Sequence, residues 1–379
     1  MSRSLSVAAV GDISFNGGYE AAIRGGAAPA VFRDVMPALA ADLVLGNLES
    51  PLTTQPFAGP ASRFCLRGDP RYAAALKAAG FSAVSLANNH IMDFGWAGVE
   101  DTMRALDAQG IVHFGAGKDA QAARSSRLIN IAGLRVALLG YCSVHVAGLP
   151  LYATATQPGV AGGHPEDIRN DVTAARGASD LVIVFMHWGQ EFVAMPSPKE
   201  RRLARLAAEA GADAVIACHP HVLQGMETIG RTLVVYSLGN FVFADDLFQG
   251  VNRAGEAFTM PYRISEESRK TGILRATLHA GSGPEAELVP ALLRAELDVV
   301  RDPCPSRHQE WQQRCQALQS PVYRLDWLVA MLRARLGAHA GGPDGVSIWR
   351  RLRKVRLRHL RDLLSLLKRE WQQLRGAGS

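Results

Sequence analysis

Polar side chains that can hold or move charge recur in one setting along this chain, the end of an apolar run. Asp12 closes "SVAAVGD", Asn47 and Glu49 close "ADLVLGNLE", and Asn88, Asn89 and His90 close "FSAVSLANNH". His187 closes "LVIVFMH", and His219 and His221 close "AVIACHPH". Carboxylate, amide oxygen and imidazole are the ligand types that hard and borderline divalent ions take, and a catalytic site leaves a position open for water or substrate. Asp12, Glu49, Asn89, His187, His219 and His221 supply such a set. It suffices for one divalent metal ion, or for two ions about 3.5–4 Å apart that clamp the attacking and leaving oxygens of a displacement. The set does not discriminate among manganese, zinc, iron, calcium and magnesium.

Each group taken singly has a structural reading. Gly11-Asp12 suits a turn, His219-Pro220-His221 a proline-stiffened loop, His187 a hydrogen-bonded core position, and Asn88-Asn89 a turn cap. Repetition argues for convergence, because ligand sites in open α/β sheets gather at the carboxyl ends of the strands. The elements that must do the positioning are legible. Seven strand-like runs, "SLSVAAVGD", "ADLVLGNLE", "FSAVSLANN", "LRVALLGYC", "DLVIVFMHWG", "ADAVIACHPH" and "RTLVVYSLGNFVF", are nearly continuous in Val, Ile, Leu and Ala, as strands buried on both faces are. Between them lie helical patterns, "DPRYAAALKAAG", "WAGVEDTMRALDAQG" and "SPKERRLARLAAEAG", each stopped by a glycine (Gly80, Gly110, Gly211). After about residue 285 the pattern changes: "PALLRAELDVVRD" fits strand or helix, while "PCPSRHQEWQQRCQALQ" and "YRLDWLVAMLRARLGAHAGG" read as helices.

The chain has 379 residues, 48% hydrophobic and 20% charged, which places it among globular proteins and gives it ample core. No run approaches a membrane span, and the N-terminal text reads as a first strand, so a cytoplasmic location is expected, peripheral to the inner membrane face if the basic tail binds there. Five cysteines, without a CxxC pair, suggest reduced thiols. The net charge of +6 is local: residues 350–379 hold ten Lys/Arg against two acids, +8, which leaves −2 for the rest. Within 347–374 an apolar stripe including Trp349, Leu363 and Trp371 opposes the arginines, the pattern of a basic amphipathic helix. Its expected partner is a protein surface or an anionic membrane surface; nucleic acid is not expected, since no stacking platform accompanies the charge.

In order, "VGDISFNGG", "ADLVLGNLESPLT", "RFCLRGDPRYAAALKAAGFSAVSLANNHIMDFG", "GIVHFGAG", "VIVFMHWGQEF", "GADAVIACHPHVLQGME" and "VVYSLGNFVFAD" resemble the CapA family, named for capsule poly-gamma-glutamate synthesis and similar to the calcineurin-like metallophosphoesterases. The resemblance covers roughly residues 5–245 and excludes the tail. It implies that Asp12, Glu49, Asn89, His187, His219 and His221 are metal ligands, that His90 is the proton carrier, and that Asp93 orients the His90 imidazole. Two departures from the phosphoesterase pattern stand out: Asp12-Ile13-Ser14 replaces Asp-x-His, and Gly46-Asn47-Leu48-Glu49 replaces the bridging Gly-Asp. Cys218 stands where the family more often has glycine, either as a soft extra ligand or as a buried strand cysteine. Other motifs fail. "GAGK" at 115–118 lacks the rest of a phosphate loop and reads as a turn, and Ser237 lacks the first glycine of a nucleophile elbow. Tyr236 and Asn240 are candidates for the site floor.

The expectation is therefore an α/β, metallo-dependent phosphatase-like sandwich of two mixed β-sheets flanked by helices over residues 1–285, with a helical extension over 286–379 ending in the basic helix. Three functions are compatible with it: a metallohydrolase acting on a small-molecule, peptide or polymer substrate, a metal-assisted peptide epimerase, and an accessory subunit of a membrane polymer-synthesis complex.

Overall fold

Burial on both faces is what the apolar runs deliver. The computed structural model describes residues 3–24, 30–56, 65–144, 151–251 and 257–337. In chain order the strands are β1 (Ser4–Ile13), β2 (Leu43–Leu48), β3 (Ala83–Ser85), β4 (Val112–Phe114), β5 (Ala116–Gly117), β6 (Arg127–Ile131), β7 (Leu134–Cys142), β8 (Gly159–Val160) and β9 (Leu181–His187). They continue as β10 (Ala214–Cys218), β11 (Met226–Ile229), β12 (Thr232–Val235), β13 (Asn240–Val242), β14 (Asp246–Val251), β15 (Ala257–Tyr262), β16 (Lys270–His279), β17 (Glu285–Leu293) and β18 (Val299–Arg301). One sheet has the order β18-β17-β16-β1-β2-β3-β4, with β13 also paired to β1; the other has the order β11-β12-β10-β9-β7-β6. In each, a parallel centre (β13, β1, β2, β3 and β4; β7, β9, β10 and β12) carries antiparallel edges. The expected two-sheet α/β sandwich is what the chain forms.

Period-two alternation sorts each run between two layers. Leu5, Val7 and Ala9 of β1 meet Leu181, Ile183 and Phe185 of β9 in the core between the sheets. The intervening Ala8 and Val10 face helices Tyr72–Ala78 and Gly95–Ala108, through Leu76 and Val99. Val182, Val184 and Met186 face helices Pro165–Ala178 and Pro198–Glu209, through Val172 and Leu203. Ser197 and Glu200 form a capping box on the second of these helices. Gly80, Gly110 and Gly211, the expected helix stops, all have positive φ. Each fully buried aliphatic side chain contributes about 1.5–3 kcal/mol, so three such layers can offset a cluster of polar groups buried at the strand ends.

Two expectations change. "RTLVVYSLGNFVF" is not one strand: β12 lies in one sheet and β13 in the other, and the chain crosses between them at Ser237–Gly239, with Gly239 at φ +70°. The sheet also runs past residue 285. β17 pairs along most of β16, and helix Pro305–Ala317 packs Trp311 into the core between the sheets, so these elements belong to the body and not to an extension. Alternation in "EAELVPALL" is weak because β17 buries Leu288 toward one layer and Ala291 and Leu293 toward the other, so strand and helix fit the text equally. The chain divides into a compact unit, Met1–Leu328, and a second unit, Val329–Ser379. The basic amphipathic segment 347–374 lies outside the described residues. Among those described, no helix is long and apolar enough to cross a membrane.

Candidate metal centre

A single extra residue in β1 creates the site. β2 pairs Leu45 with Ala9 and then Asn47 with Asp12, so three residues of β1 oppose two of β2. Without that bulge Asp12 would share the parity of Ala8 and Val10 and point at the helices; with it, Asp12 stands beside Asn47 on the side facing the other sheet. The crowding that accompanies it demands glycine next door, because a Cβ on Gly11 would sit 1.9 Å from the Gly239 carbonyl oxygen. Asp12 is also level with Asn240 of β13. In β2 the parity of Leu43 and Leu45 continues through Asn47 to Glu49. In the second sheet the inner parity of β9 ends on His187, which is level with Cys218 of β10 and Cys142 of β7. Two sheets thus present opposite types of donor across one gap.

Distances show how tightly these groups converge. The Asp12 carboxylate accepts from Asn47 Nδ2 (2.9 Å) and from the His219 backbone amide (3.1 Å). It lies 3.8 Å from His187 Nδ1 and 3.5 Å from His221 Nδ1, while Glu49 Oε1 lies 3.9 Å from His187 Nε2 and 4.0 Å from His221 Nε2. The Asp12–His187 Nδ1 and Glu49–His221 Nε2 separations are too long for hydrogen bonds, yet short enough for the partners to share an ion held about 2 Å from each. Asp12, His187 and Cys218 form one group whose ligand atoms all lie within 4.8 Å of one another, and Glu49, His219 and His221 form another. The His187 and His219 rings are 4.7 Å apart between centroids. His219 (φ +96°) and His221 (φ +57°) occupy the left-handed region, a backbone strain of about 1–3 kcal/mol per residue that concentrates at functional sites.

Electrostatics point the same way. Burial pushes the Glu49 carboxyl well above its ordinary range, and the neighbouring Asp12 adds to this; burial also raises Asp12, against the pull of His221. Burial pushes His187 and His219 well below the usual imidazole range, with the other histidines adding to it. Each side is driven toward its neutral form. Among the described residues, both carboxylate oxygens of Glu49, Nδ1 of His219 and Nδ2 of Asn240 have no hydrogen-bond partner. Orphaned acceptors beside neutral imidazoles cost about 1–3 kcal/mol each unless something positive completes them. A divalent cation fits that requirement in charge and in donor chemistry.

The Asn88–Asp93 turn answers to the same logic. Asn88 organises it: Nδ2 donates to the Leu48 carbonyl (2.8 Å), and Oδ1 accepts from the amides of His90 (3.0 Å) and Ile91 (2.8 Å). This releases Asn89 to reach His187, whose Nε2 lies 2.6 Å from Asn89 Oδ1. His90 Nδ1 lies 2.8 Å from Asp93 Oδ2, which also accepts the Leu66 amide (2.8 Å). The His90 side chain is 13% exposed, whereas those of Asp12, Glu49 and His187 are at 1% or less. Of these four it alone reaches toward solvent.

All eight residues singled out in the sequence, Asp12, Glu49, Asn89, His90, Asp93, His187, His219 and His221, are therefore brought to one end of the sandwich. Asn240 joins them through a 2.8 Å contact with His221 Nδ1. Tyr236 does not: its hydroxyl donates to Glu227 (2.6 Å) within the outer layer of the second sheet. Ser237 donates to the Val222 carbonyl (2.8 Å), a structural use, and the "GAGK" text supplies the short strand β5, paired with β8, instead of a turn. Sequence reasoning missed an aromatic rim. Phe192 and Phe243 lie 6.1 and 5.5 Å from the His221 ring, and Tyr262 lies beyond Phe243, its ring tilted 50° and 6.4 Å away. Phe192 and the neighbouring Glu191, whose charge reaches Glu49, were visible only as the end of "HWGQEF".

Residues 6–245 match the family described as bacterial capsule synthesis protein PGA_cap. The capsule biosynthesis protein CapA of Bacillus anthracis is 33% identical over 70% of this chain and 65% of its own length. The PGA biosynthesis protein CapA of Bacillus subtilis is 34% identical over 69% of this chain and 68% of its own length, so the chain spans about two thirds of these relatives. A probable polyglutamine synthesis accessory protein of Mycobacterium tuberculosis is 30% identical over 61% of this chain and 62% of its own. Among solved structures, the sulfate thiohydrolase SoxB of Thermus thermophilus aligns over 88% of this chain and 60% of its own, at 12% identity and a TM-score of 0.39, too distant to carry an argument.

Proposed function

The chain belongs to the bacterial capsule synthesis PGA_cap family, and from that premise we propose that it is a metal-dependent hydrolase of capsule or poly-gamma-glutamate biosynthesis. The observation that carries the reading is Glu49, a fully buried carboxylate with two orphaned oxygens among imidazoles held neutral. Asp12, Glu49, His187, His219 and His221 would hold a divalent cation; Asn89, expected from the sequence as a further ligand, would instead orient His187, because its Oδ1 lies 2.6 Å from Nε2. A bound cation of this kind supplies Lewis acidity, which lowers the pKa of water and steadies charge on the scissile group.

The remaining work belongs to the chain. Asp93, pinned by the Leu66 amide, holds His90 in one orientation. His90, at the solvent edge, delivers the proton that the leaving oxygen or nitrogen takes as the bond breaks, the hydroxyl of water joins the phosphorus or carbonyl carbon left behind, and the proton that water gives up restores His90 through solvent. The aromatic rim of Phe192, Phe243 and Tyr262 restricts water on the side of His221. The accessory role for which the mycobacterial relative is named supports a second reading, in which the site is a relic and the chain an accessory subunit.

One experiment separates them. Full-length protein loaded with manganese or zinc is assayed for release of free amine from poly-gamma-glutamate and for turnover of an aryl phosphoester. Turnover that His90→Ala removes while metal content stays the same is the expected result. Stoichiometric metal without turnover, together with full function of His90→Ala and His219→Ala chains in the cell, would favour the accessory reading; deuterium uptake at Cα without hydrolysis would favour an epimerase.

A further inference from the structure

The two halves of the candidate centre are not chemically alike, because a sulfur stands in only one of them. We propose that Cys218 supplies a thiolate ligand alongside Asp12 and His187, making that half a mixed oxygen, nitrogen and sulfur position that selects zinc-like ions over magnesium and calcium. The inference rests on the metal-centre reading above and adds to it a residue and a selectivity.

Three observations place the sulfur. Cys218 is the last residue of β10, fully buried, on the same inner parity as Ala214 and Ile216. It is level with His187 across the sheet, and its Sγ lies 3.3 Å from His187 Nδ1. On the other side of the same ring, Asn89 Oδ1 lies 2.6 Å from Nε2. Asn89 Oδ1 only accepts, so Nε2 carries the ring proton and the Nδ1 lone pair is directed toward Asp12 and Cys218. Asp12, His187 and Cys218 thus offer O, N and S atoms within 4.8 Å of one another. The second group, Glu49, His219 and His221, offers only oxygen and nitrogen.

Soft thiolate ligands favour zinc and related ions, while magnesium and calcium take oxygen. When an ion arrives the thiol proton leaves to solvent, and no electron changes hands. Cys142 provides an internal control. It is level with His187 on the opposite strand, but among the described residues no candidate ligand group includes its sulfur.

The test is cobalt(II) titration of chelator-stripped, full-length protein, read by absorption instead of turnover. A near-ultraviolet sulfur-to-cobalt charge-transfer band is expected. It should vanish in Cys218→Ser and Cys218→Ala, persist in Cys142→Ala, and be accompanied in the Cys218 variants by a loss of about tenfold or more in the preference for zinc over magnesium. Cobalt bound stoichiometrically by the unaltered protein without that band overturns the inference and leaves the metal-centre reading standing; no variant is needed for this outcome. A band that survives both Cys218 changes overturns it as well. Failure to bind any divalent ion removes both readings together.

Discussion

The two sheets bring different chemistry to the same gap. The carboxyl end of the first supplies oxygen, from Asp12 and Glu49, with the His90–Asp93 pair at its outer edge. The second supplies imidazole and sulfur, from His187, Cys218, His219 and His221. Burial drives Asp12 and Glu49 up and His187 and His219 down, so neither side is comfortable in its ordinary ionised state. An acid-rich end could be closed by protons and an imidazole-rich end by hydrogen bonds. Joined face to face, they leave orphaned acceptors and lone pairs that one cation can satisfy at once.

The sharpest way to break this comparison is to remove the proton carrier while leaving both donor sets intact. His90→Ala should lower kcat by about 10²–10⁴-fold with unchanged metal content by elemental analysis. A parallel loss of metal would move His90 into the ligand set. Next in size is the link between the sheets: Asn89→Ala frees the His187 ring and should weaken divalent-ion affinity by about 10–100-fold in isothermal titration. Asp93→Asn should be milder, about tenfold in kcat with metal content unchanged, because the carboxylate that orients the His90 ring is gone.

The smallest effect concerns stability. Burial holds the Glu49 carboxyl well above its ordinary 4.5, so the folded chain retains a proton that the unfolded chain releases, and stability falls as pH rises above that value. Glu49→Gln should therefore stabilise metal-stripped protein by about 1–3 kcal/mol near pH 8, and the gain should shrink toward zero as pH approaches 4.5. Addition of zinc should reverse the order, raising the melting temperature of the unaltered chain above that of the variant. A variant that is less stable at every pH without metal would mean that the Glu49 oxygens already have partners.

Much of the site could be read from the chain because its residues sit at the ends of strands, where apolar text stops abruptly at a polar residue. His187 after "LVIVFM" and His219 after "AVIAC" are visible for that reason. Cys218 could be read as a soft extra ligand or as a buried strand cysteine, and only the register of β9 against β10 sets it beside His187. Phe243 and Tyr262 carry no motif, and only the return of the chain after β13 sets them beside His221. The strands beyond residue 285 are obscured because β17 buries residues on both faces, Leu288 on one and Ala291 and Leu293 on the other, and so lacks the period-two pattern of a half-exposed strand.

Composition and alternation by themselves determined that this chain builds an α/β sandwich and that ligand-type side chains end its central strands. Local sequence is enough for that, because backbone hydrogen bonding and burial act on neighbours a few residues apart. Tertiary structure alone decided which face those side chains take. The extra residue before Asp12 reverses its parity, and the crossing at Gly239 carries one run into two sheets. Neither follows from the residues nearby, since a bulge and a crossing are settled by the partner strand against which the backbone must close its hydrogen bonds.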